Sequence, residues 1–130
     1  MHKYTVAFRI EGRFLVPSEV SDILGLQPSH VWVHPSDENY NGRNSLWSYC
    51  GSASQIEWDS LEDGLLHVLG DLFIKKDLID LKFAECKKYW WCGHFQQSFD
   101  VGPRFSPDLF RKLADFGVPL FLDNYFSSDD

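Results

Sequence analysis

Cysteine is scarce: three residues in 130, an odd number, with no Cys-x2-Cys pair. That fits a reducing compartment better than a disulfide framework. Cations are also in deficit, with 12 Lys and Arg against 19 Asp and Glu and a net charge of −7. Sequence-independent nucleic-acid binding needs cations to displace phosphate counterions, so no nucleic-acid partner is expected. Steering toward a basic partner is favoured instead, although such an acidic excess also serves plain solubility. No apolar run reaches the roughly 20 residues of a membrane-spanning helix, and no membrane role is expected. Met1-His2-Lys3-Tyr4 opens directly into alternation. That leaves no room for a secretory leader, so cytoplasmic residence is the expectation. Linkers and low-complexity runs are missing too. A single domain over residues 1–126 with a polar tail at 127–130 follows.

What is present is a packed-globule composition, 44% hydrophobic and 16% aromatic, and a phrase used twice. The phrase is strand, Pro-led helix start, helix, Gly, strand. Its first copy runs from Tyr4 through Gly12-Arg13-Phe14 and Pro17 to Gly25-Leu26-Gln27-Pro28 and Val31-Trp32-Val33. Its second runs from Tyr89 through Gly102-Pro103-Arg104-Phe105 and Pro107 to Phe116-Gly117-Val118-Pro119 and Leu120-Phe121-Leu122. Proline suits a first helical position, where its missing N–H costs nothing, and glycine closes a helix in the left-handed conformation.

Between the copies, residues 46–50 resume period two after a turn-rich polar stretch over 35–45. Ser54 and Glu57 fit a capping box, which predicts a long helix with Trp58, Leu61, Leu65, Val68, Leu69 and Leu72 inward. Ile79, Leu81 and Phe83 alternate, which predicts a further strand over 77–86. The expected architecture is α+β: about six strands in a mostly antiparallel sheet, three helices on one face, and pseudo-repeated βαβ units related to a ferredoxin-like arrangement.

Candidate chemistry is thin, and no cofactor or metal is expected. Cys50, Cys86, Cys92 and His94 are metal-ligating types, but Cys86 and Cys92 are six residues apart, without the short spacing that makes convergence local. Small buried thiols explain them better. Cys92 beside His94 offers a nucleophile and a base, yet neighbours at i and i+2 on a strand seldom make the required hydrogen bond. Asp59, Glu62 and Asp63 cluster on the outer side of the predicted long helix, a solvated face rather than an acid–base pair. As an acidic docking face they remain of interest. Trp90-Trp91 sends one indole to each side of its strand, where it is either a partner contact or covered by another segment.

Gly25-Leu26-Gln27-Pro28-Ser29 followed by Trp32, the Leu46-Trp47-Ser48 strand, and Leu113-Ala114-Asp115-Phe116-Gly117 with Leu120, Leu122-Asp123 and Tyr125 carry a resemblance. Together they resemble a family of small bacterial domains of unknown function. The resemblance implies proteins encoded near polymorphic or contact-dependent toxins, some acting as cognate immunity proteins, and it brings no catalytic residues. The leading expectation is therefore a non-enzymatic immunity protein that binds and neutralises a toxin domain, plausibly a basic nuclease. Asp37, Glu38 and Tyr40 in the polar loop and Asp59, Glu62 and Asp63 would receive it, with Trp32 and Trp47 as anchors. The alternative is a small-ligand or regulatory binding domain with an aromatic pocket.

Overall fold

Residues 2–33, 44–52 and 57–127 are described by a computed structural model of the chain. Its centre is β1 (His2–Gly12), whose alternation buries Tyr4, Val6, Phe8 and Ile10 on one side. Pro17 sits in the first turn of α1 (Pro17–Leu24), whose Val20 and Leu24 are buried. Gly25 closes α1 at φ 68°, its N–H bonded to the Ser21 carbonyl. The chain then forms β2 (His30–Trp32) and β3 (Ser45–Tyr49).

The helical middle follows, with α2 (Leu61–Phe73) and α3 (Lys76–Lys82). The last third holds β4 (Lys87–Gln96), α4 (Pro107–Phe116) and β5 (Leu120–Phe126). Here the opening phrase returns: Ser106 caps α4, Pro107 starts it, and Gly117 at φ 82° ends it.

The strand order is β2-β3-β1-β4-β5. Every pairing is antiparallel except β4 with β5, which is parallel. The two βαβ copies therefore use the sheet differently. In the first, β3 is inserted between β1 and β2; in the second, β4 and β5 are direct neighbours. The apolar faces of α1, α2 and α4 pack on the Val6–Phe8–Ile10 side, together with Trp47, Trp90 and Cys92. The class is α+β as expected, but the sheet is five-stranded and mixed, and the described residues hold four helices.

One departure accounts for both counts, and a second shifts a helix start. Residues 77–86, expected as a strand, contain α3 instead. Ile79 and Phe83 are buried while Leu81 lies exposed, which is the i, i+4 face of a helix rather than one face of a strand. Lys76 and Asp80 add an ion pair at the same spacing, 2.5 Å apart. The long helix also starts later than the predicted cap. Ser60 is its N-cap, the hydroxyl accepting the Asp63 N–H at 3.2 Å. Trp58 is taken into the sheet instead, exchanging backbone hydrogen bonds with Tyr4 at 2.9 and 2.8 Å. Ser54 falls outside the described residues.

Candidate functional site

Because the described helices gather on one side, no described helix covers the other side of the sheet. Alternation places Arg9 of β1, Trp32 of β2, Tyr89, Trp91 and Phe95 of β4, and Phe121 and Tyr125 of β5 on that side. Trp32, Phe95, Phe121 and Tyr125 are each between 38 and 43% exposed. They are large apolar groups held at a surface by regular backbone rather than by a loop, and such contiguous patches mark interaction sites.

The rings are braced against one another. Phe95 and Tyr125 stack with centroids 4.8 Å apart, and Tyr89 leans on Phe121 at 5.0 Å. The Arg9 guanidinium lies 4.6 Å from the Trp91 ring, and the Lys87 ammonium 5.5 and 5.8 Å from Tyr89 and Phe121. Cations over ring faces at these distances are attracted by the ring quadrupole. The Trp91 indole N–H donates to Asp123 at 2.8 Å, fixing its plane. Such a surface loses little rotamer freedom when covered, the property that makes aromatic anchors effective.

The described ones among the residues expected to receive a partner do not converge. Trp32 lies on the helix-free face, in a shallow recess with Glu11, His30 and Tyr89. Trp47 is fully buried on the opposite side, stacked on Tyr49 at 5.8 Å and donating its indole N–H to Ser21 at 3.1 Å. It is a core residue, not an anchor. The pairing of β2 with β3 decides this: Val31 opposes Trp47 toward the helices, so Trp32 opposes Leu46 away from them.

Asp59 is ion-paired with Lys3, and that hydrogen bond holds the Lys3 ammonium above its ordinary value. Glu62 accepts the Ser106 N–H at 2.5 Å, so its carboxylate ties α2 to the cap of α4. Asp63 is exposed in the first turn of α2, where the helix dipole favours it. Glu62 and Asp63 belong to the helical layer, so they share no surface with Trp32. Asp37, Glu38 and Tyr40 lie outside the described residues.

Cys92 is a buried thiol whose desolvation pushes its pKa up to about 12, so it is a poor nucleophile. Its neighbour His94 is engaged elsewhere, in a chain that joins four elements of the sequence. His94 Nδ1 lies 3.0 Å from Asn124 Oδ1, and its Nε2 lies 2.8 Å from His2 Nδ1. His2 Nε2 lies 3.0 Å from Asp100. Each link needs one proton, so the chain is complete when His94 is the Nδ1–H tautomer and His2 is protonated on both nitrogens. Hydrogen bonds from Ser98 and then His2 hold the Asp100 carboxyl at about 2. This clasp fastens the first residue of β1 to β4, β5 and the segment before α4. Among the described residues, no group of three or more His, Cys, Asp or Glu could hold a metal ion.

The helix-free aromatic face was only half legible in the sequence. The odd positions of residues 89–95 and 121–125 carry the signal, but it becomes a surface only once β4 and β5 are known to be neighbours. The His2–His94 contact spans 92 residues and has no local signature. No described helix is long and apolar enough to cross a membrane. Comparisons with curated proteins and with solved structures found no match. Residues 2–127 match the family described as a domain of unknown function, DUF4279, and the chain belongs to that family.

Proposed function

We propose that this chain is a non-enzymatic binding protein that captures a protein partner on the helix-free face of its sheet. The partner is a cognate bacterial toxin domain, plausibly a basic nuclease, and the chain acts as its cytoplasmic immunity protein. The observation that supports this reading is the set of exposed rings, Trp32, Phe95, Phe121 and Tyr125, on the side of the sheet that no described helix covers, with Lys87 over Phe121 and Phe95 stacked on Tyr125. The net charge of −7 supplies long-range steering toward a basic partner, while the rings set how slowly it leaves. The resemblance to proteins encoded beside toxins supplies the partner's class.

The test is coexpression with the toxin domain encoded beside the gene. The wild-type chain should restore growth and copurify with the toxin. Trp32→Ala combined with Phe121→Ala should weaken the complex by about 30-fold or more, which is the 2 kcal/mol expected of a hot spot. The free variant should stay folded, with one cooperative thermal transition. Failure of the wild type to restore growth removes the toxin reading, and unchanged affinity of the double variant removes the face.

A second reading rests on a different observation. A cleft of about 810 Å³ opens between α1 and the end of β2, walled by Phe14, Leu15, Pro17, Pro28, Val31 and Val33. Its volume and apolar walls suit a small molecule. Such a ligand at a hundredfold excess over its Kd would add about 2.7 kcal/mol of stability, visible in the same thermal measurements.

A further inference from the structure

The two ends of the sheet differ. β2 closes one end with three residues, whereas β5 closes the other with seven, and no described strand pairs with its outer edge. The direction of its free backbone groups follows from its two ends. Pro119 accepts the Trp90 N–H and Ser127 donates to the Gln96 carbonyl, both at 2.9 Å. Odd-numbered residues therefore turn their backbone groups toward β4. Leu120, Leu122, Asn124 and Phe126 turn theirs outward, because successive residues of a strand alternate.

Natural sheets blunt such an edge with Lys, Pro, a bulge or brevity. The segment Leu120-Phe121-Leu122-Asp123-Asn124-Tyr125-Phe126 contains neither Lys nor Pro. Its one charge, Asp123, is held across the sheet face by the Trp91 indole. All residues from Asp123 to Phe126 are exposed. An edge of this length and composition calls for a strand to cover it.

We propose that the covering strand is β5 of a second copy, paired antiparallel about a two-fold axis at Asn124. Self-pairing brings outward residues onto outward residues only when the axis passes through a residue, which leaves few registers. An axis at Asp123 sets Asp123 against Asp123 at the close spacing of a non-hydrogen-bonded pair, where like charges repel. An axis at Leu122 opposes Asp123 to Phe121 and Asn124 to Leu120, each polar against apolar. The axis at Asn124 opposes Asp123 to Tyr125, whose phenol can donate to the carboxylate, and Leu122 to Phe126. The outward groups of Leu122, Asn124 and Phe126 are then all satisfied. The aromatic face of one copy continues into that of the other.

Sedimentation equilibrium of the full chain should give, at high micromolar concentration, a mass twice the 15.1 kDa of one copy. Tyr125→Glu places a second carboxylate opposite Asp123 and should loosen the dimer by about tenfold or more. Tyr125→Lys should keep or tighten it. Amide exchange on the unmodified chain gives a measurement independent of variant folding. Leu122, Asn124 and Phe126 should exchange more slowly at high protein concentration than after dilution, while Phe121 and Asp123 stay unchanged. A monomer at every concentration, a dimer equally tight in Tyr125→Glu, or exchange at those three amides indifferent to concentration would each overturn the proposal.

Discussion

Trp47→Ala should lower the free energy of unfolding by about 3–5 kcal/mol, the range for truncating a large buried aromatic. Trp47 is wholly enclosed, packs on Tyr49, and holds α1 to β3 through its hydrogen bond to Ser21. Truncation opens a cavity and leaves the Ser21 hydroxyl without its donor. Trp47→Phe should recover most of the packing but not the hydrogen bond, and so fall between the two. Urea denaturation measures all three. Trp32→Ala is the control from the same pair of adjoining strands. Trp32 keeps 38% of its surface exposed, so its removal should cost clearly less than that of the fully enclosed Trp47. Equal losses at the two tryptophans would show that the β2–β3 register is wrong by one residue.

Asp71→Ala should cost about 2–4 kcal/mol near neutral pH, because hydrogen bonds to a charged group are each worth about 1.5–3 kcal/mol. Asp71 on α2 accepts the Tyr49 hydroxyl and the Ser52 N–H, both at 2.8 Å, with His67 at 3.9 Å. Burial alone would push its carboxyl up, but the Tyr49 and Ser52 donors outweigh that and hold it below its ordinary value. Burial, and then the same hydrogen bond, push the Tyr49 phenol up. Both directions keep the pair as carboxylate and neutral phenol. A carboxyl lowered by folding binds its proton more weakly in the native state than in the unfolded chain. Its stabilisation is therefore present above about 3.9, the value of a free Asp, and is lost as pH falls through the lower native value. The urea midpoint of the wild type should fall in acid, and the gap to Asp71→Ala should narrow there. A constant gap across that range would mean that the carboxylate is not the group responsible.

The elements were legible where chemistry is local. Pro17 with Gly25 and Pro107 with Gly117 mark both ends of their helices, because a fixed φ and a left-handed cap are properties of single residues. The alternation of Tyr4, Val6, Phe8 and Ile10 is as plain in sequence as in structure. Ile79 and Phe83 misled because positions four apart satisfy both a period of two and a helical turn. The capping pattern puts Trp58 inside the long helix because capping chemistry is common, and the pairing of Trp58 with Tyr4 keeps that residue out of α2.

The site was harder to see because it is made by neighbours in space. Asp59, Glu62 and Asp63 form one patch in the sequence, yet Lys3 and the Ser106 backbone occupy two of the three. Phe95 and Tyr125 are thirty positions apart and become a stacked pair only through the parallel register of β4 on β5.

The placement of β1 has a consequence for how the chain is made. It is synthesised before the other described strands but lies in the middle of the sheet, and its longer ladder, from His2 with Gln96 to Glu11 with Lys87, joins it to a strand synthesised late. Until that strand appears, β1 has one side unpartnered and the nascent polypeptide can assemble only its β2–β3 portion. Closure across so great a separation is slow, and the apolar side chains of β1 depend on shielding during translation. A ribosome stalled before Lys87 would therefore display an aggregation-prone nascent chain, whereas one halted once Gln96 had cleared the exit tunnel would carry the entire central ladder.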